Sequence, residues 1–96
     1  MASVVFTRAA IREARDARVW LQDRQPKTVQ EFRVRLRTAR ATLQEFPTSG
    51  SVHLFGTRRY QLSPYPYYIV YRTDGAVVTI LAVAHSKQRP GYWRNR

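Results

Sequence analysis

Two apolar runs separated by Asp74-Gly75 constrain this chain more than any other feature: YYIVYRT before the pair and AVVTILAVAH after it. Asp-Gly favours a two-residue hairpin turn, because both central positions then take positive φ. Such a turn pairs Thr73 with Ala76, and the register follows outward. Tyr71 faces Val78, Ile69 faces Ile80 and Tyr67 faces Ala82. Side chains alternate across a strand, so Arg72 with Val77, Val70 with Thr79 and Tyr68 with Leu81 share the other side. The first face is the drier and is expected against the core. The second, carrying Arg72, Tyr68 and Thr79, is expected to be the more open. A slip of one residue would exchange the two faces.

Upstream, the β-branched stretch at Ser3–Phe6 predicts a first strand, and Thr7 is a suitable N-cap for a following helix. Ala10, Ala14, Ala17 and Leu21 recur every three or four residues, which predicts an amphipathic helix over residues 8–24. Its small apolar face is expected to let a neighbouring helix approach closely. Gln25-Pro26 breaks that helix, and a second is expected over residues 27–46. There Val29, Phe32, Leu36, Ala39, Leu43 and Phe46 form an apolar stripe of the kind that belongs in a core. Residues 47–56 are loop by composition, and residues 57–63 (TRRYQLS) read as a strand. The order is β-αα-βββ, an α+β fold over residues 1–96 read as one domain. An N-terminal strand precedes an antiparallel helical hairpin packed on a mostly antiparallel sheet.

The charge is the unusual quantity. Seventeen Lys and Arg face six Asp and Glu, a formal +11, and fifteen of the seventeen are arginine. Arginine favours planar, bidentate contacts with carboxylate or phosphate, so the balance points to an acidic partner, nucleic acid or protein. The absence of cysteine excludes disulfides and thiolate zinc sites. His53 and His85 have no spaced carboxylate, so no metal site and no cofactor are expected. No apolar run is long enough to span a bilayer and no signal peptide opens the chain, so no membrane partner and a cytoplasmic location are expected.

Four motifs give the chain a likeness. They are Phe46-Pro47 to Gly50 after the second helix, the strand opening Gly56-Thr57-Arg58-Arg59-Tyr60, YPYYIVYR at residues 65–72, and LAVAH followed by RPGYW at residues 81–93. With these the chain resembles the RelE/ParE superfamily of type II toxin–antitoxin toxins, and looks most like its ParE branch. The resemblance implies a growth-inhibiting toxin neutralised by a cognate antitoxin whose acidic, amphipathic segment folds onto it. For ParE-like members it implies inhibition of DNA gyrase by binding. For RelE-like members it implies mRNA cleavage on the ribosome.

A ribonuclease needs a base, cations on the scissile phosphate and an acid for the leaving oxygen. The resemblance assigns those tasks to Arg58, Arg59, Arg72 and Tyr92. The chain departs from the RelE pattern at Tyr68 and near Ser86, where that branch has arginines, so the non-catalytic ParE-like reading is preferred. The target-binding surface is then expected to comprise Arg58, Arg59, Arg72, His85, Lys87, Arg89, Tyr92 and Trp93. Arg58 and Arg59 occupy adjacent strand positions and face opposite ways. His85 is read as capping the strand end, and Trp93 as anchoring the tail to the sheet. Truncation after Ala84 is expected to leave the fold standing. For the antitoxin, the expected contacts are Tyr68, Val70 and Arg72 on the hairpin with Arg15 and Arg18 on the first helix. A further alternative is a toxin fold that only binds antitoxin.

Overall fold

A computed structural model describes all 96 residues. Strand β1 (Ser3–Phe6) leads into α1 (Arg8–Arg24), a single 3-10 turn at Pro26–Thr28 and α2 (Val29–Glu45). Four strands follow: β2 (Ser51–Val52), β3 (Arg58–Gln61), β4 (Tyr67–Thr73) and β5 (Val77–His85). They form one five-stranded sheet in the order β1-β5-β4-β3-β2, in which β1 runs parallel to β5 and every other pair is antiparallel. The two helices pack on one face of this mixed sheet, an α+β architecture. The two-residue strand β2 lies within residues 47–56, expected as loop. Its pairing with Arg58 and Arg59 makes it the outer edge beyond β3.

Local chemistry sets the helix ends. The Thr7 hydroxyl accepts the Ala10 N–H at 3.1 Å and caps α1, and Pro26 sits in the first turn of the 3-10 segment that separates the helices. Ala10, Ala14, Ala17 and Leu21 are buried, and their small volume brings α1 close to β5. On α2 the buried positions are Val29, Phe32, Ala39 and Leu43. Phe32 meets Tyr65 and Tyr67 edge-on, with ring centroids 5.4 and 5.6 Å apart. Phe46, expected to close the stripe, lies past the end of α2 and is 58% exposed.

The central hairpin differs from expectation in register. Thr73 pairs with Val78, not Ala76, so the connection is longer than two residues. Side chains in the turn explain this. The Asp74 carboxylate accepts the N–H groups of Ala76 (2.9 Å) and Val77 (2.8 Å), and the Thr73 hydroxyl accepts that of Gly75 (3.0 Å). These backbone donors hold the exposed Asp74 carboxyl below its usual range. A displacement of two preserves the alternation, so Tyr67, Ile69 and Tyr71 face the helices together with Val78 and Ile80, as expected. A bulge then intervenes, because Tyr71 pairs with Ile80 while Val70 pairs with Ala82. Beyond the extra Leu81 the faces of β5 exchange. Val83 joins the helix-side core, whereas Ala82 and Ala84 turn to the opposite face.

That opposite face is not open. Tyr68, Val70, Ala82 and Ala84 form a second cluster closed by Trp93, which is 0% exposed. The tail folds back across the sheet, and Trp93 shields it from water.

Candidate functional site

The tail is held in place by one carboxylate on α1. Glu13 Oε1 accepts the Val83 N–H (3.1 Å) and an Arg96 Nη1–H (2.7 Å), while Glu13 Oε2 accepts the Tyr92 hydroxyl (2.7 Å). Arg96 also donates to the Leu81 carbonyl (3.1 Å), and its guanidinium lies 5.0 Å from the centre of the Tyr92 ring. Burial pushes the Tyr92 phenol well above its ordinary value, and the neighbouring Glu13 pushes it further. Burial alone would lower the Arg96 pKa, but the Glu13 ion pair more than offsets this and raises it.

The strand arginines divide between the faces. Arg58 pairs with Tyr71, on the helix side, and donates from Nη1 to the Gly50 carbonyl at 2.8 Å. Arg59 lies across the other face, 3.8 Å above the Tyr68 ring, and donates to Gln61 Oε1 at 3.2 Å. Arg72 donates to the Phe55 carbonyl at 3.2 Å. Arg58, Arg59, Arg72 and Tyr92 are therefore not brought into one constellation. The Tyr92 hydroxyl is committed to Glu13, and Arg58 is separated by the sheet from Arg59 and Arg72. What the separate arginines can do is hold anions.

After β5, the chain makes a self-bonded turn. His85 Nδ1 accepts the Lys87 N–H (3.0 Å), and the His85 N–H donates to Gln88 Oε1 (2.7 Å). Lys87 and Arg89 are displayed on its exposed surface. Arg94 stacks on the half-exposed Phe55 ring at 4.4 Å. Tyr68 and Val70, expected on an open face as antitoxin contacts, lie buried under Trp93 and present no surface in this conformation. Of the two helix arginines expected at the antitoxin, Arg15 is exposed with a 3.8 Å contact to Asp16. Arg18 has a different setting.

Arg18 on α1 faces Arg33, Arg37 and Arg40 on α2 across a groove of about 320 Å³ floored by Phe6 and Leu36. None of these four guanidinium groups has a carboxylate partner; the ion pairs of the chain are Arg15–Asp16, Arg35–Glu31 and Arg96–Glu13. The sequence reading singled out Arg18 alone. Arg33, Arg37 and Arg40 stand at helical i, i+4, i+7 spacing, and that signal could have identified the row. His53, set aside as a loop residue, also has a defined place. Its ring lies 5.7 Å from that of Trp93 and 6.0 Å from that of Tyr68. Burial lowers its pKa below the ordinary 6.5, and Arg59 lowers it further.

Comparison with known proteins adds three findings. The profile of a family described as "ParE toxin of type II toxin-antitoxin system, parDE" matches residues 4–90. A search of curated proteins finds no match. Among solved structures, one titled "Chromosomal ParDE TA system from P. aeruginosa" superposes with a TM-score of 0.75 at 19% identity. That match covers 88% of this chain and 96% of the other, and at this identity it speaks for the fold.

Proposed function

Since the chain belongs to the ParE toxin family of type II toxin–antitoxin systems, we propose that it inhibits growth by binding its target and not by cleaving RNA. DNA gyrase is the target that membership of this family suggests, met in the cytoplasm. The observation that carries the non-catalytic reading is the bond from the Tyr92 hydroxyl to Glu13. A phenol whose pKa is pushed up by burial and by an adjacent carboxylate stays protonated at neutral pH and so is a poor base, and its O–H is already engaged as a donor to Glu13. With Trp93 sealed, the surface that meets a target is the basic one around Phe55, where Arg94 stacks on the ring and Arg72 donates to the carbonyl, with Arg59 on the same face of the sheet. Lys87 and Arg89 stand at the other end of β5.

Neutralisation by a cognate antitoxin is the second part of the proposal. The groove between α1 and α2 has four unpaired guanidinium groups over an apolar floor, which suits an acidic amphipathic segment. Carboxylates would pair with Arg18, Arg33, Arg37 and Arg40 while an apolar side chain rests on Phe6 and Leu36. In this arrangement the antitoxin uses the helical side, and Arg15 and Arg18 belong to its contact surface.

Expression of Tyr92→Phe tests the choice between binding and catalysis. Growth arrest that survives the change, with no RNA cleavage detectable, supports the binding reading. Loss of both together, in a protein that remains folded, overturns it in favour of a ribosome-dependent endoribonuclease.

A further inference from the structure

The second half of α1 lies beside the turn that follows β5, and along this seam are two cavities of about 440 and 510 Å³. They share Trp20 and His85 as walls. Each volume lies in the range of about 300–1,000 Å³ usual for small-ligand sites. Neither cavity contains any arginine of the α1–α2 groove.

Two chemistries meet here. The first is a flat aromatic surface. Trp20 is 40% exposed, with the Arg24 guanidinium 4.3 Å from its ring centroid and His85 edge-on at 6.4 Å. His85 is braced in turn against Tyr67, 5.0 Å away. The second is the positive charge of Lys87, in a cleft without a carboxylate. Arg12 lines the first cavity and Lys87 the second, and neither forms an ion pair.

The surroundings hold these groups in place. The Lys87 N–H donates to His85 Nδ1, so the neutral imidazole carries its proton on Nε2 as a free donor. Of the two carboxylates in the first cavity, Glu13 is occupied by Val83, Tyr92 and Arg96. Asp16 makes only a 3.8 Å contact with Arg15. Arg12 and Asp16 therefore balance in the first cavity, whereas the second has no carboxylate and its one charge, Lys87, is positive.

We propose that the second of these clefts binds a phosphate-bearing nucleobase, with the base stacked on Trp20 and the phosphate held by Lys87. A simple anion would use Lys87 and gain nothing from the part of the Trp20 ring not covered by Arg24. A purely apolar ligand would use the indole and leave Lys87 unpaired. A nucleotide uses both, through its π-face and its charge. The same chemistry is offered by a free nucleotide and by the unpaired 5′-terminal nucleotide of a strand.

The test is calorimetric titration of the full chain with AMP, GMP, CMP and UMP, beside ribose 5-phosphate and adenosine. The nucleotides bind saturably, and ribose 5-phosphate binds at least about tenfold more weakly because it cannot stack. Trp20→Ala weakens nucleotide binding by roughly 5- to 150-fold, the usual worth of one stacked base. Trp20→Tyr, which keeps a ring, restores most of it. Lys87→Ala weakens AMP while leaving adenosine unchanged, and Arg12→Ala, in the neighbouring cleft, changes neither. Trp93 is sealed, so quenching of exposed tryptophan emission by the ligand reports on Trp20.

A 5′-phosphorylated oligoadenylate that binds more tightly than AMP, and is displaced by it, assigns the site to a strand end. Equal affinity assigns it to the free nucleotide. The proposal is overturned by absence of saturable binding up to about 10 mM, near the weak end of specific recognition. It is equally overturned if ribose 5-phosphate matches AMP, or if folded Trp20→Ala binds AMP like the wild type.

Discussion

The Tyr92 hydroxyl donates to Glu13 Oε2 at 2.7 Å, joining residues 79 apart in sequence. That carboxylate also receives Val83 and Arg96, so a single side chain on α1 ties the last strand and the tail together. Glu13→Ala leaves three donors unpaired and is expected to cost about 3 kcal/mol. Glu13→Gln keeps one of the two acceptor oxygens and loses the charge, and costs less, while Tyr92→Phe removes one charge-assisted bond for about 1.5–3 kcal/mol. Urea unfolding monitored by near-ultraviolet circular dichroism measures all three. Equal stability of Glu13→Ala and the wild type would contradict the tie.

Gly50 is required for close approach. A Cβ at this position would lie 2.7 Å from the Tyr71 hydroxyl and 2.8 Å from the Arg59 carbonyl, and the Gly50 N–H donates to that same hydroxyl at 2.9 Å. Gly50→Ala is expected to destabilise by about 1–3 kcal/mol through overpacking. Tyr71→Phe, which orphans a buried N–H, should cost about 1–3 kcal/mol. A double-mutant cycle on thermal unfolding should give a combined effect smaller than the sum, because both changes act at one contact.

His53 makes stability depend on pH. Burial and Arg59 lower its folded pKa below the ordinary 6.5, so below that pH the unfolded chain takes up a proton before the folded one does. Stability contributed by neutral His53 is thus complete above 6.5 and falls as the solution is acidified toward the lower folded value. Urea midpoints measured across this range should fall for the wild type and change less for His53→Gln. An NMR titration of the ring placing its pKa at or above the ordinary value would contradict the assignment.

The arginine groove should be read by salt. Replacing Arg33, Arg37 and Arg40 together with alanine is expected to slow association with the antitoxin about tenfold or more at low ionic strength, with a smaller effect at high salt. The residues are on the exposed surface of α2, so the unfolding midpoint should hold. Stopped-flow mixing at two salt concentrations measures both. An association rate unchanged in the triple variant would place the antitoxin elsewhere.

Sequence periodicity made the helices, the sequence of the longer elements and the alternation of β4 legible, because each depends on neighbours a few positions apart; the short β2 and the order of strands in the sheet depend on distant pairing. It misjudged the hairpin register, where the Thr73 and Asp74 side chains compete with the expected two-residue turn. It could not show the bulge at Leu81, where Tyr71 pairs with Ile80 but Val70 with Ala82. Trp93 as an anchor was readable from its chemistry, but the cover it gives Tyr68 and Val70 was not. Removing the tail after Ala84 would therefore uncover an apolar face, and a surviving fold is no longer the expectation. A change at the exposed Arg94 probes the basic surface with less disturbance. Glu13 gave no local signal, since its partners lie 70 to 83 residues away.

The most direct test of binding without catalysis is DNA supercoiling by purified gyrase with the toxin titrated in, beside cleavage of ribosome-loaded mRNA at the same concentrations. The account predicts that supercoiling is lost while the mRNA stays intact, for the wild type and for folded Tyr92→Phe alike. Cleaved mRNA with normal supercoiling, abolished by Tyr92→Phe, would contradict it.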